Sequence, residues 1–401
     1  MPATGYEIAG EPAVLVREGG TEFLLPEATP RTSLRGPARR APVFYNPAMA
    51  LSRDLHVAVV QRLSQVEGRP LEIWDALAAS GIRGLRALKE TDGVASLLAT
   101  DLQPHAVEVL RTNLQRSAPS HARATAISAD AHEVPPGAPF DLVDLDPYGT
   151  PVPFIRTAVE ALRPGGVLAV TATDMAVLAG AEREACLRRY GARPLRNYLC
   201  REAALRIILA EVSRTAALRG RSVHPLLSYE RDHHVRAYLR LDSLRGDEPS
   251  PVRSVPFEGY LGPPLLHGVK GGPLWTGPLH DATFVEGLRP PSEPARPLEL
   301  ASWLERLREE SKVDALFYYE SGEVGRLLHL TSQPPLESIL AELKAGGWKA
   351  ARTTMEPSGW RTDAPWPEVE RCIRRAERRP PPPAGGAHGA TEAPAGRATG
   401  V

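Results

Sequence analysis

From Leu71 to Leu241, short apolar runs alternate with amphipathic helical stretches, and this rhythm restricts the fold more than any other feature. "LEIWDAL" predicts a strand, and Gly81 through Lys89 a helix. "ASLLATDL" is a second strand, and "PHAVEVLRTNL" opens a helix at Pro104. "ATAISAD" and "FDLVDLD" follow as third and fourth strands. Pro153 then starts a helix, "PFIRTAVEALRPGG", that its glycines end, and "VLAVTATD" is the fifth strand. Strands alternating with helices imply parallel βαβ units and a doubly wound α/β sheet. After a helix from Arg201 to about Leu218, "HPLLSYE" and "HHVRAYLRL" predict an antiparallel closing pair.

The rest of the chain follows other patterns. Asp242 to about Pro297 is rich in glycine and proline with weak periodicity, which predicts a linker or an irregular subdomain. Helical periodicity returns in "LELASWLERLREESK" and "LESILAELKAGGW", and a hairpin is expected around "TTMEPSGWRTD". Helices followed by a hairpin suit a small winged module of the kind used on nucleic acids. Beyond Arg379 the sequence is low-complexity and predicts disorder. The expected division is an N-terminal extension over 1–45, the doubly wound domain over 46–242, a C-terminal domain over 243–378 and a tail over 379–401.

Charge matters through its distribution. The 48 basic and 48 acidic residues cancel, so net charge indicates neither nucleic acid nor membrane. Between Thr29 and Arg53, however, stand Arg31, Arg35, Arg39, Arg40 and Arg53 with no acid. A second run holds Arg188, Arg189, Arg193, Arg196, Arg201 and Arg206 against Glu202 alone. Such clusters suit a polyanion such as RNA. The bland alternative is a general use of arginine for lysine, which occurs only five times. Cys186, Cys200 and Cys372 match neither a zinc nor a disulfide framework, so a reduced, cytoplasmic protein is expected. No apolar run approaches the ~20 residues that span a bilayer. The N-terminus carries acids where a signal peptide would be basic.

In an open parallel sheet, ligands sit at the carboxyl ends of the strands. Asp75 ends the first strand and leads into "ALAASGIRG", where Gly81 and Gly84 allow a tight turn into a helix. Asp101 ends the second strand twenty residues after Gly81, a separation that suits a carboxylate on ribose hydroxyls. Asp130 ends the third and can accept from the amine of an adenine, with Ala131 beside it. A NAD site uses the same acids, but Gly81-x-x-Gly84 lacks the full dinucleotide fingerprint. Asp146-Pro147-Tyr148-Gly149 follows the fourth strand. As a bare motif it is an ordinary turn. At this position it offers more: a nucleobase amine is a poor nucleophile and needs an acceptor, which Asp146 supplies, while Tyr148 can stack on the base and Pro147 fixes the turn.

"VFYNPAMALSRDL", "DALAASGIRGLRAL", "TDLQPHAVEVLRTNL", "DLDPYGTPVPFI", "VTATDMAVLAG", "CLRRYGARPLRNYLC" and "GGPLWTGPLHD", in that order, resemble the tRNA (guanine-26-N2)-dimethyltransferase family from about Val43 to Pro365. The resemblance implies a class I, Rossmann-like methyltransferase domain and a C-terminal α+β, tRNA-binding domain peculiar to the family. It implies S-adenosylmethionine as cofactor and tRNA as partner, with one or two methyl groups passing to N2 of guanine 26. By matched motif, Arg53 and Arg83 would contact the cofactor. Asp101, Asp130 and Ala131 would line its ribose and adenine, Asp146 would be the catalytic carboxylate, and Phe44 and Tyr148 would sandwich the guanine. Ala48 and Ser52 depart from the family's common Arg and Asn, and Arg201 from its His. Many relatives carry paired cysteines for zinc ahead of "GPLWTGPLHD"; Gly271 and Gly272 stand in that neighbourhood here, so no metal is expected. No obligate protein partner and no membrane association are expected either. An adenine N6-methyltransferase and a catalytically inactive RNA-binding protein are the rival readings.

For other polar residues the sequence suggests structural roles. Asp174 is expected to cap a helix, with a part in shaping the guanine pocket as the alternative. His233 and His234, being adjacent, would face opposite sides of a strand and do not easily chelate one metal; a place for one of them near the base pocket or RNA, and a surface or core role for it, are equal readings.

Overall fold

The computed structural model describes residues 5–29, 43–245, 252–256 and 270–378. Arg31, Arg35, Arg39, Arg40 and the low-complexity tail lie outside the described residues. Strands β1 (Tyr6–Ile8), β2 (Glu11–Glu18) and β3 (Thr21–Pro26) form an antiparallel sheet that the sequence reading passed over as an extension. A 3-10 turn at Pro47–Met49, capped by Asn46 accepting from Ala48 N, leads into α1 (Ala50–Glu67).

The βαβ rhythm then runs through β4 (Leu71–Asp75), α2 (Ile82–Glu90), β5 (Val94–Asp101), α3 (Pro104–Ser117), β6 (Arg123–Ser128), β7 (Phe140–Leu145), α4 (Val152–Ala161) and β8 (Leu162–Ala172). Helices α5 (Met175–Leu178), α6 (Arg183–Tyr190) and α7 (Cys200–Ala217) precede β9 (Arg221–Arg231) and β10 (His234–Ser243). These seven strands lie in the order β6-β5-β4-β7-β8-β10-β9. The first five are parallel, and β10 runs antiparallel to both β8 and β9, as the closing pair predicts. One boundary differs from expectation. The helix from Pro153 stops at Ala161, and "LRPGG" already belongs to β8, where Leu162 pairs with Phe140 and Gly165 turns at φ +82°. Burial of Leu162 in the sheet outweighs the helical pattern.

The segment expected to be irregular contains β11 (Val252–Pro256) and β12 (Lys270–Trp275), an antiparallel pair, and α8 (Ala282–Glu286). Then follow α9 (Pro297–Glu310), β13 (Tyr319–Glu320), α10 (Ser321–Leu327), α11 (Leu336–Ala345), β14 (Ala350–Arg352), β15 (Gly359–Thr362) and α12 (Trp366–Arg378). β14 and β15 form the expected hairpin, which β13 extends.

Apolar residues of α1, α2 and α3 pack with β4 and β5, and Phe284, Leu300, Trp303 and Leu307 join them from the later chain. A second cluster gathers α4 to α7 with β7 and β8, and takes in Leu274, Trp275, Phe317 and Tyr318. A third surrounds Trp360 between α10, α11, α12 and the hairpin. A buried ionic network fastens these layers: Arg361 reaches Glu202 on α7 at 2.8 Å and Glu310 on α9 at 2.7 Å, and Arg206 reaches Glu202 at 2.7 Å. Among the described residues no helix is long and apolar enough to cross a membrane.

Candidate active site

The three acids of "FDLVDLD" each meet arginine. Asp141 accepts from Arg69 at 2.6 Å and lies 2.8 Å from Arg163 Nε. Asp144 accepts from Arg236 Nη2 at 2.6 Å and Nη1 at 3.2 Å, and Arg236 also donates to Thr171 Oγ1 at 2.6 Å. Asp146, one residue past β7, accepts from Arg83 Nη2. Strand residues two apart share a face, so Asp144 and Asp146 project to the same side. Arg83 stands in the first turn of α2, with Nε 3.7 Å from Asp144. Carboxylates enter this interior because guanidinium groups compensate the lost hydration.

Those neighbours set the charges. Burial pushes the Asp146 carboxyl up, but Arg83, Arg236 and His234 together outweigh it and hold its pKa at about 2. Asp75, at the end of β4, goes the other way: burial, the Asp144 charge and Asp146 raise it to about 8 against the pull of Arg83 and Arg236. Burial and the charges of Arg236 and Arg83 keep His56, 3.2 Å from the Tyr238 hydroxyl, well below its ordinary value. Asp144, Arg236, His56 and Thr171 escaped the sequence reading. Signals existed: the period-two acids, and an arginine inside the apolar strand "HHVRAYLRL".

The glycine loop between β4 and α2 has physical causes. Gly81 adopts φ +74°, and a Cβ there would lie 2.2 Å from Leu110 Cδ2. At Gly84 a Cβ would stand 3.1 Å from Asp75 Oδ2, so the helix packs directly onto that carboxyl. Asp101 and Asp130 follow adjacent parallel strands, β5 and β6. Asp101 accepts from Ala79 N at 3.0 Å and Gln103 N at 2.9 Å, tying the glycine loop to the next strand. Asp130 is exposed, and hydrogen bonds from the His132 backbone and ring lower its pKa. Ala131 beside it is buried.

Phe44 and Tyr148 are 44% and 58% exposed, large aromatic surfaces left uncovered by the fold. Pro147 is buried, and Gly149, at φ +100°, exchanges hydrogen bonds with Thr173 beyond β8, which pins the turn. Arg53 has partners within the protein. It is buried on α1, where Nε and Nη2 each donate to Glu18 at 2.6 Å and Nη2 also to the Asn46 carbonyl at 2.9 Å. Burial raises the Glu18 carboxyl, but Arg53, Arg86 and the Tyr45 hydroxyl overcome it and leave the pKa lowered. Among the described residues no bond joins Arg53 to Asp101 or Asp130.

The remaining polar residues separate. His233 is exposed in the β9–β10 turn, whereas His234 is buried at the head of β10. Asp174 occupies the N-cap position of α5, but its side chain makes no cap bond; it accepts from Tyr190 OH at 2.7 Å and Arg189 at 3.2 Å. That competing pair displaces the expected capping role. Of the second arginine run, Arg188, Arg189, Arg193, Arg196 and Arg201 are exposed, while Arg206 lies in the buried network. No group of three or more His, Cys, Asp or Glu among the described residues is placed to hold a metal ion.

This arrangement has close parallels. The family model for N2,N2-dimethylguanosine tRNA methyltransferase matches residues 25–248 and 266–374. The tRNA (guanine(26)-N(2))-dimethyltransferase of Thermococcus kodakarensis is 37% identical over 90% of this chain and 99% of its own length. The tRNA (guanine(26)-N(2)/guanine(27)-N(2))-dimethyltransferase of Aquifex aeolicus is 31% identical over 88% of this chain and 94% of its own. Trm1 from Pyrococcus horikoshii, solved in complex with S-adenosyl-L-methionine, superposes with a TM-score of 0.77 at 30% identity, over 90% of this chain and 99% of that one. The chain therefore belongs to the N2,N2-dimethylguanosine tRNA methyltransferase family.

Proposed function

We propose that the protein transfers one or two methyl groups from S-adenosylmethionine to N2 of guanine 26 in tRNA, with Asp146 as the catalytic carboxylate. One observation carries this reading. An ionised carboxylate stands at the carboxyl end of β7, held by Arg83, with the exposed Tyr148 two residues on. The guanine amine is a weak nucleophile because its lone pair is delocalised into the ring. As the new N–C bond forms, that nitrogen becomes strongly acidic, so even a carboxylate of lowered pKa can accept its proton. Phe44 and Tyr148 would hold the base flat between them, and buried Pro147 would keep the turn stiff. The target base would have to leave its stack to reach Asp146.

The donor set fits the cofactor. Asp101 and Asp130 end neighbouring strands, each fixed by backbone N–H groups, where they would accept from ribose hydroxyls and the adenine amine, with Ala131 packing alongside. S-adenosylmethionine, when bound, supplies a methyl group on a positively charged sulfur. Asp75 would shape the floor under Gly84. Arg83 would sit between the cofactor and Asp146, and Arg53 would hold the Asn46–Met49 turn beside Phe44. The exposed arginines from Arg188 to Arg201 would grip phosphates through counterion release. Three free cysteines accord with a reduced, cytoplasmic setting.

Nucleoside mass spectrometry of unmodified tRNA incubated with the protein and S-adenosylmethionine tests the activity. N2-methylguanosine or N2,N2-dimethylguanosine, absent from a transcript with adenine at position 26, is the expected product. Methylated adenosine would replace this reading with the adenine N6 alternative, and no product with retained tRNA binding would leave an RNA-binding protein.

A further inference from the structure

His234 is only 3% exposed, and its Nε2 has no hydrogen-bond partner among the described residues. A polar atom left unpaired in the interior costs free energy, so its retention calls for an explanation. The strand register gives its position. Val235 pairs with Ala172, which sets His234 level with Thr173. Thr173 N donates to the Gly149 carbonyl at 2.9 Å, and its Oγ1 accepts from Gly149 N at 2.7 Å. His234 therefore lies beside the Asp-Pro-Tyr-Gly turn. It also shares its face of β10 with Arg236 two residues on, whose guanidinium bonds Asp144. The ring of Tyr229 braces the imidazole edge-on, with centroids 6.0 Å apart at 81°.

The Watson–Crick edge of guanine presents two donors, N2 and N1, next to one acceptor, O6. A carboxylate satisfies the donors; O6 requires a donor from the protein. Arg83 and Arg236 are already committed to Asp146, Asp144 and Thr171, and the Tyr229 hydroxyl lies 3.0 Å from Ser52 Oγ. The His234 ring nitrogen is uncommitted.

We propose that His234 determines base specificity by donating from Nε2 to O6 of the guanine whose amine faces Asp146. Adenine would set an amine against that N–H, donor to donor, and be rejected. Burial lowers the His234 pKa to about 4, with Arg83 and Arg236 assisting against Asp146, so the ring stays neutral at physiological pH. The inference rests on the methyltransferase reading above.

The test uses tRNA carrying 2-aminopurine at position 26, which keeps the N2 amine but lacks both O6 and the N1 proton, so the comparison between variants, and not the wild-type preference alone, isolates the O6 contact. The kcat/KM of wild type, His234→Phe and His234→Gln is compared on the guanine and 2-aminopurine substrates. Wild type should prefer guanine by about tenfold or more, the range for one well-placed base contact. His234→Phe, which fills the space without a donor, should lose about that factor on guanine and little on 2-aminopurine. His234→Gln, with its amide N–H, should retain part of the preference. Equal losses on both substrates, or an unchanged preference in His234→Phe, would overturn the assignment while leaving the enzyme reading intact. Failure of the wild type on guanine itself would overturn both.

Discussion

Asp75 and Asp146 share one buried cluster, yet their carboxyls are driven in opposite directions. Asp146 has Arg83 in contact, whereas Asp75 meets the negative charges of Asp144 and Asp146 with no cation among the described residues bonded to it. The consequence for stability has a definite sign. With its folded pKa raised to about 8 from an ordinary 3.8, Asp75 binds more protons folded than unfolded across that interval. Its contribution is therefore fully present below about pH 4 and is lost as pH rises to about 8. Asp75→Asn should flatten the fall in thermal midpoint between pH 5 and pH 8; parallel profiles for wild type and variant would contradict this. At this scale the strand-end positions of Asp101, Asp130 and Asp146 were legible in the sequence because strand ends are legible. Which guanidinium meets which acid was not, since Arg83 and Asp146 lie 63 residues apart and Arg236 and Asp144 lie 92 apart. Only tertiary packing brings such pairs together.

Among the elements, the parallel strands were readable from short apolar runs, and the closing antiparallel pair from its alternation. The N-terminal sheet was missed because "EPAVLVRE" carries its apolar residues as one run, and its partner strand β3 is nearly all buried and shows no period of two. Helix α1 was hidden for a related reason. Ala50 through Val60 are all buried, charged residues included, so no polar face marks the helical period. Its Arg53 and Asp54 pair instead with Glu18 and Arg86. The same device joins later elements, where Arg361 on β15 holds Glu202 of α7 and Glu310 of α9. Arg361→Ala would leave two buried carboxylates short of their cation and should cost about 3–5 kcal/mol. Chemical denaturation of wild type and variant measures it, and a loss below about 1 kcal/mol would show that Arg206 and solvent compensate.

The whole molecule gathers Asp75, Asp144 and Asp146 at the carboxyl ends of the central strands β4 and β7, and leaves Phe44, Tyr148 and the α6 residues Arg188 and Arg189 exposed. Net charge conceals this, since it sums 48 basic and 48 acidic residues without regard to where they lie. Binding of tRNA and transfer of the methyl group should therefore be separable, the first resting on surface arginines and the second on Asp146. Single-turnover methyl transfer by wild type and Asp146→Asn, with tRNA and S-adenosylmethionine both saturating, tests this directly. The variant should keep its tRNA affinity within a few-fold and lose about 100- to 10,000-fold in rate, the range for removing a positioned proton acceptor. A rate within a few-fold of wild type would mean that another group takes the amine proton.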